Sequence, residues 1–76
     1  MIAMTKDEKL RFVEGIMDID EGSLEGDEEL SGIGSWDSMS VLGFMTEMSI
    51  RFDQIIEIKR IKELATINDL CDLIPD

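Results

Sequence analysis

Apolar residues recur at helical spacing in four separate stretches of this 76-residue chain, and that repetition limits the possible fold more than any other feature. In the first, residues 5–17, Leu10, Val13 and Met17 fall at i, i+3 and i+7, and Phe12 and Ile16 widen the stripe. Thr5 followed by Glu8 is a capping box, and Asp7 and Glu8 place negative charge in the first turn. In the second, residues 39–52, Val41, Phe44, Met45, Met48 and Phe52 share one arc of roughly 100° on a helical wheel. Asp53 and Gln54 break that pattern. The third stretch, residues 55–64, carries Ile58, Ile61 and Leu64 and reads as a short helix at best, because β-branched residues weaken it. In the fourth, Thr66 reads as a cap with Asp69 in the first turn; Ile67, Leu70, Cys71 and Ile74 follow, and Pro75 ends the run. Stripes of this kind must bury one another. They predict an all-α four-helix bundle, three main helices plus a short third, with residues 1–76 forming one small domain.

Between the first two helices lies a long connection, residues 18–35, with Gly22, Gly26, Gly32 and Gly34. It holds seven acids between positions 18 and 29 and no base, so a solvated acidic loop is expected. Leu24, Leu30 and Ile33 are its predicted anchors onto the core. Asp18, Asp20 and Glu29 match positions 1, 3 and 12 of a calcium-binding EF-hand loop. Gly22 stands at position 5 and Ser23 at position 6, where the sharp turn needs glycine, so no metal site is expected.

The connection ends in Gly34-Ser35-Trp36-Asp37-Ser38-Met39. Ser38 sits where an open loop becomes a helix, close to backbone N–H groups that lack intrahelical partners. That position suits a bound phosphate. It equally suits a plain N-cap, in which Ser or Asp accepts an N–H bond. Met39, Leu42, Gly43, Thr46 and Ile50 form a second, mildly apolar face on the same helix, and Ser40, Glu47 and Arg51 complete the wheel. Such a face is either more core or a partner site.

Charge and composition narrow the function. Seven bases against 18 acids give a net charge of −11, which disfavours nucleic acid and anionic membranes and suits partners with basic surfaces. There is no histidine, so the commonest general base and metal ligand are missing. No spacing pairs carboxylates for acid–base work, so the expectation is not an enzyme. The one cysteine, Cys71, lies on an apolar stripe and reads as core. The first four residues are too short for a signal-peptide core, and no run approaches a spanning length; a cytoplasmic protein is expected. Lys59, Arg60 and Lys62 cluster in the third stretch, so charge is unevenly spread.

A capped amphipathic helix, a long acidic loop, Asp37-Ser38-Met39, a second helix ending in Phe52-Asp53, a short third helix and Thr66-Ile67 opening a fourth together resemble an acyl carrier protein. The resemblance spans about residues 5–74, with Met39 replacing the leucine of the family's Asp-Ser-Leu motif. It implies a free-standing, monomeric carrier on which a phosphopantetheinyl transferase attaches 4′-phosphopantetheine from coenzyme A covalently to Ser38. The arm's thiol then carries an acyl or aminoacyl group as a thioester to acyl-transferring or acyl-activating enzymes, and the transferase supplies the base and metal. By the same resemblance Asp37 aids transferase docking or caps the helix. Met39, Leu42, Gly43, Thr46 and Ile50 form the partner face. Val41, Phe44, Met45, Met48, Phe52, Ile56, Ile61 and Leu64 line the interior. Two departures stand out. Trp36 replaces a small residue, and Glu47 is the one acid between positions 39 and 52, where carriers of fatty acid synthesis display several. The expectation is therefore a specialised carrier with a dedicated pathway rather than a housekeeping one. An unmodified interaction module of the same fold, with Ser38 only a cap, is the alternative; a calcium-responsive acidic helical protein is a more distant one.

Overall fold

The computed structural model describes residues 4–75, so the start of the first four residues lies outside the described part. Four α-helices follow in order: α1 (Lys6–Met17), α2 (Ser38–Phe52), α3 (Ile58–Lys62) and α4 (Ile67–Leu73), with a single 3₁₀ turn at Leu30–Gly32. Helix α1 packs on α2 and α4, and α2 also packs on α3. The all-α bundle read from the four stripes is the observed fold. Among the described residues the sole β pairing is an isolated antiparallel bridge between Glu29 and Thr66.

Each main helix starts as its first residues require. Thr5 and Glu8 close a reciprocal capping box on α1, and Thr66 and Asp69 do the same on α4. Asp37 caps α2 by accepting from the Ser40 N–H. Helices α1 and α2 both end in a left-handed non-glycine residue, Asp18 at φ 57° and Asp53 at φ 54°.

The core is drawn from all four stripes. Val13, Phe44, Met48, Ile67 and Leu70 are fully buried, and Leu10, Met17, Ile56, Ile61, Cys71 and Ile74 join them. Burying a side chain such as Phe44 or Met48 contributes about 1.5–3 kcal/mol relative to leaving it in water. Val41, Met45, Phe52 and Leu64 are half-buried against this core. Phe12 links the aromatic contacts, meeting Phe44 edge-on at 6.5 Å and Phe52 at 5.9 Å. Burial pushes the Cys71 thiol above its usual range, which suits an inert core residue.

In the third stretch the expected stripe is only partly inward. Ile61 is buried, but Ile58, the first residue of the five-residue α3, is exposed.

The long connection is tied down at both ends. Glu14, on the buried stripe of α1, accepts hydrogen bonds from Gly22 N–H (3.1 Å) and Leu24 N–H (2.8 Å). Arg11 Nε lies 2.9 Å from the same carboxylate, and Arg11 Nη2 donates to the Leu24 carbonyl. Further on, Leu30 N–H donates to Ala65 O, Ile67 N–H to Glu28 O and Asn68 N–H to Gly26 O, which stitches residues 26–30 to the start of α4. Leu24 and Leu30 are buried and Ile33 half-buried, as anchors should be. No three His, Cys, Asp or Glu side chains group closely enough to hold a metal among the described residues. Among the described residues no helix is long and apolar enough to cross a membrane.

Candidate functional site

Helix α2 begins one residue earlier than the wheel indicates, at Ser38 itself. The cap belongs to Asp37, whose backbone is extended (φ −114°, ψ −172°) and whose Oδ1 accepts from Ser40 N–H at 3.0 Å. Of the two residue types that could cap here, aspartate takes the role and serine does not. Ser38 therefore occupies the first helical position. Its side chain is exposed and no hydrogen bond engages its hydroxyl among the described residues.

The loop before it is held at several points. Trp36 N–H donates to the Ile33 carbonyl, and the indole meets Phe44 edge-on at 6.2 Å and 77°. Ser40 is buried and its hydroxyl donates to the Ser35 carbonyl across the loop-to-helix corner. Trp36 thus packs over the core. Ser40, read from sequence as a polar surface position, is a structural bolt instead. The missed signal is its place one turn beyond the cap, where a short hydroxyl reaches back to a loop carbonyl.

An anion would find favourable surroundings at this corner. Ser38 and Met39 are the first two helical residues, and their N–H groups have no intrahelical partner. The partial positive charge of the helix start acts there as well. The Asp37 carboxylate opposes it in sign, but one of its oxygens is already occupied by the cap. An exposed hydroxyl, held by a fixed backbone and unbonded, fits one ester arm of a phosphodiester.

The face below Ser38 divides in two. Met39 (77 % exposed), Leu42 (56 %) and Ile50 (74 %) project into solvent, and Thr46 is exposed with them. Gly43 does not belong to this open surface. A Cβ there would lie 3.4 Å from Ile16 Cγ2, so the glycine is where α2 comes close to α1. Gly43 and Thr46 border a groove between the two helices, together with Phe12, Glu47 and Arg51. Arg51 lines it as well, paired with Glu47 at 2.7 Å and stacked 5.6 Å over the Phe12 ring.

Against known proteins, the sequence matches the phosphopantetheine attachment site family over residues 10–74. No curated protein and no solved structure matches the chain.

Proposed function

The chain belongs to the phosphopantetheine attachment family, and from that premise we propose that Ser38 receives the arm and that the protein works as an acyl carrier. Carrier domains of this family bear 4′-phosphopantetheine covalently and meet transferases and acyl-handling enzymes. The observation that carries the assignment of the residue is the state of its hydroxyl. Ser35 is half-buried and Ser40 is buried and engaged, whereas Ser38 is exposed and unbonded at the start of α2.

When attached, the arm supplies a terminal thiol on which an acyl or aminoacyl group travels as a thioester. The chain's own residues present and orient. Asp37 fixes the first turn, Trp36 and Ser40 hold the preceding loop against the core, and Ser38 is thereby offered at a constant position. The N–H groups of Ser38 and Met39 favour the single negative charge of a diester beside them. A tether on a small, well-anchored domain keeps its load at high effective concentration for any docked enzyme. No histidine occurs in the chain, which suits a carrier that leaves proton transfer to its enzymes.

Met39, Leu42 and Ile50 form the proposed partner face, with Thr46 at its edge. This face carries no charge, and Glu47 is turned toward Arg51 and the α1 groove. That favours dedicated partners over the basic enzymes of general fatty acid synthesis. The test has two parts. Intact mass is measured after incubation with coenzyme A, magnesium and a broad-specificity transferase; a gain of one phosphopantetheine is expected, and no gain with several transferases would favour the unmodified interaction module. The modified protein is then titrated with a general fatty-acid synthesis enzyme across a salt series. Weak, salt-insensitive binding is expected, and tight binding that salt abolishes would refute the specialised reading.

A further inference from the structure

Every large apolar side chain that is strongly exposed among the described residues lies between positions 39 and 58: Met39, Leu42, Ile50, Ile55 and Ile58. The same segment departs from the rest of the chain in charge. Residues 38–62 hold four bases and three acids, whereas the remainder holds three bases and fifteen acids. Three of those four bases, Lys59, Arg60 and Lys62, sit on α3. All three are exposed, and none forms an ion pair with another described residue. Ile55, at 88 % exposure, shares one concavity with Lys59 and Arg60. Glu57, Glu63 and Asp72 border that concavity too, but beyond ion-pairing distance of either cation.

We infer that this surface docks a protein partner whose contact patch is apolar at its centre and bears carboxylates where it meets α3. The inference rests on the carrier reading, since it places the contact along the helix that begins at Ser38. Five exposed apolar side chains on a domain of this size gain by being covered. A basic partner, which the net charge of −11 alone would suggest, would set its cations against Lys59, Arg60 and Lys62. Carboxylates there pair with cations that form no ion pair among the described residues. At physiological salt, charges further off than about 8 Å are largely screened, so the exposed cations of α3, with Glu57, Glu63 and Asp72 beside them, weigh more in the docked pose than the acidic loop does. An anionic membrane would meet the same three cations, but the fifteen acids of the remainder oppose approach to an extended negative surface.

The test uses the full-length chain, labelled with nitrogen-15, and two synthetic helical peptides with one shared Leu/Phe face. One peptide has a glutamate rim and the other a lysine rim, and both are titrated at about 0.15 M salt, where screening isolates short-range pairing. The glutamate-rimmed peptide is expected to shift the Leu42, Ile50, Ile55 and α3 amides saturably, about tenfold more tightly than the lysine-rimmed one. Combined Lys59→Glu, Arg60→Glu and Lys62→Glu reversal should invert that preference, and the corresponding Gln set should erase it if the reversal fails to fold. Preference of those amides for the lysine-rimmed peptide, no shift with either, or binding to phosphatidylserine vesicles through the same amides in place of the peptide overturns the inference. Unmodified and Ser38→Ala proteins should behave alike in this titration, so its failure is separable from a failure of the mass test.

Discussion

The starts of α4 and α2 solve the same problem differently. At α4, Thr66 and Asp69 close on each other: the Thr66 hydroxyl accepts from Asp69 N–H, and the Asp69 carboxylate accepts from Thr66 N–H at 3.0 Å and Ala65 N–H at 2.8 Å. The hydroxyl is consumed by the cap. At α2 the cap moves one residue upstream to Asp37, and the next hydroxyl, Ser38, is left out of the bonding. The lesson is that a hydroxyl at a helix start is available for chemistry only when another side chain does the capping. In Asp37-Ser38 the aspartate frees the serine, and the two roles that the sequence leaves open for this corner fall to neighbouring residues.

Several substitutions probe that contrast, beginning with the largest effect. Ser38→Ala should abolish modification by the transferase altogether while shifting stability by no more than about 0.5 kcal/mol, because the side chain is exposed and unbonded. Mass spectrometry and urea unfolding read the two halves. A loss of 2 kcal/mol or more would show, contrary to the contrast, that the hydroxyl works in the fold; the threshold is the usual range for buried interactions.

Glu14→Ala sets a reference for a side chain that is fully committed. It leaves Gly22 N–H, Leu24 N–H and Arg11 without their acceptor and should cost about 3 kcal/mol, read by the same unfolding curve. The loop amides of residues 22–24 should exchange hydrogen faster as well.

The capping residues come next. Thr66→Ala and Asp37→Ala should each cost about 1 kcal/mol, whereas Asp37→Asn should cost only a few tenths, since asparagine caps as well as aspartate. If Asp37→Ala left the Ser40 amide protected, Ser38 would have to be capping in its place.

The smallest effect is in acid. The Ala65 and Thr66 N–H groups that donate to the Asp69 carboxylate hold it below the usual carboxylate range. A carboxylate whose folded pKa is depressed stabilises above its unfolded value, and that contribution is lost as pH falls through the folded one. The start of α4 should therefore loosen as pH drops below about 3.9, the unfolded aspartate value. Amide exchange at Thr66 should follow that window, and Asp69→Asn should remove the dependence. The Asp37 cap at α2, by comparison, offers its carboxylate a single backbone donor.

Much of this arrangement is legible in the sequence, and the exceptions share a cause. Helices α1, α2 and α4 follow from apolar spacing plus caps, because both signals are local. Leu24 and Leu30 follow because an apolar residue in an acidic loop has few other places to go. Glu14 and Ser40 are harder to read: each is polar, and polarity reads as surface until a partner is seen. Glu14 does leave a trace, since it sits four residues after Leu10 and next to Val13, on the buried stripe of α1. Gly43 misleads in the opposite direction. Its wheel position places it among exposed residues, and only the approach of Ile16 from α1 shows that it belongs to a helix contact. Ile58 keeps the stripe's spacing yet is exposed at the first position of the five-residue α3, which spacing alone does not express.

Three serines lie in the six-residue stretch 35–40 at the loop-to-helix corner, Ser35, Ser38 and Ser40, and the arm is assigned to one of them. Peptide fragmentation of the transferase-treated protein locates the added group among the three. Every modified fragment is expected to carry it on Ser38, and Ser35→Ala and Ser40→Ala proteins should still be modified. Phosphopantetheine found on Ser35 or Ser40, or retained in full after Ser38→Ala, would contradict that assignment.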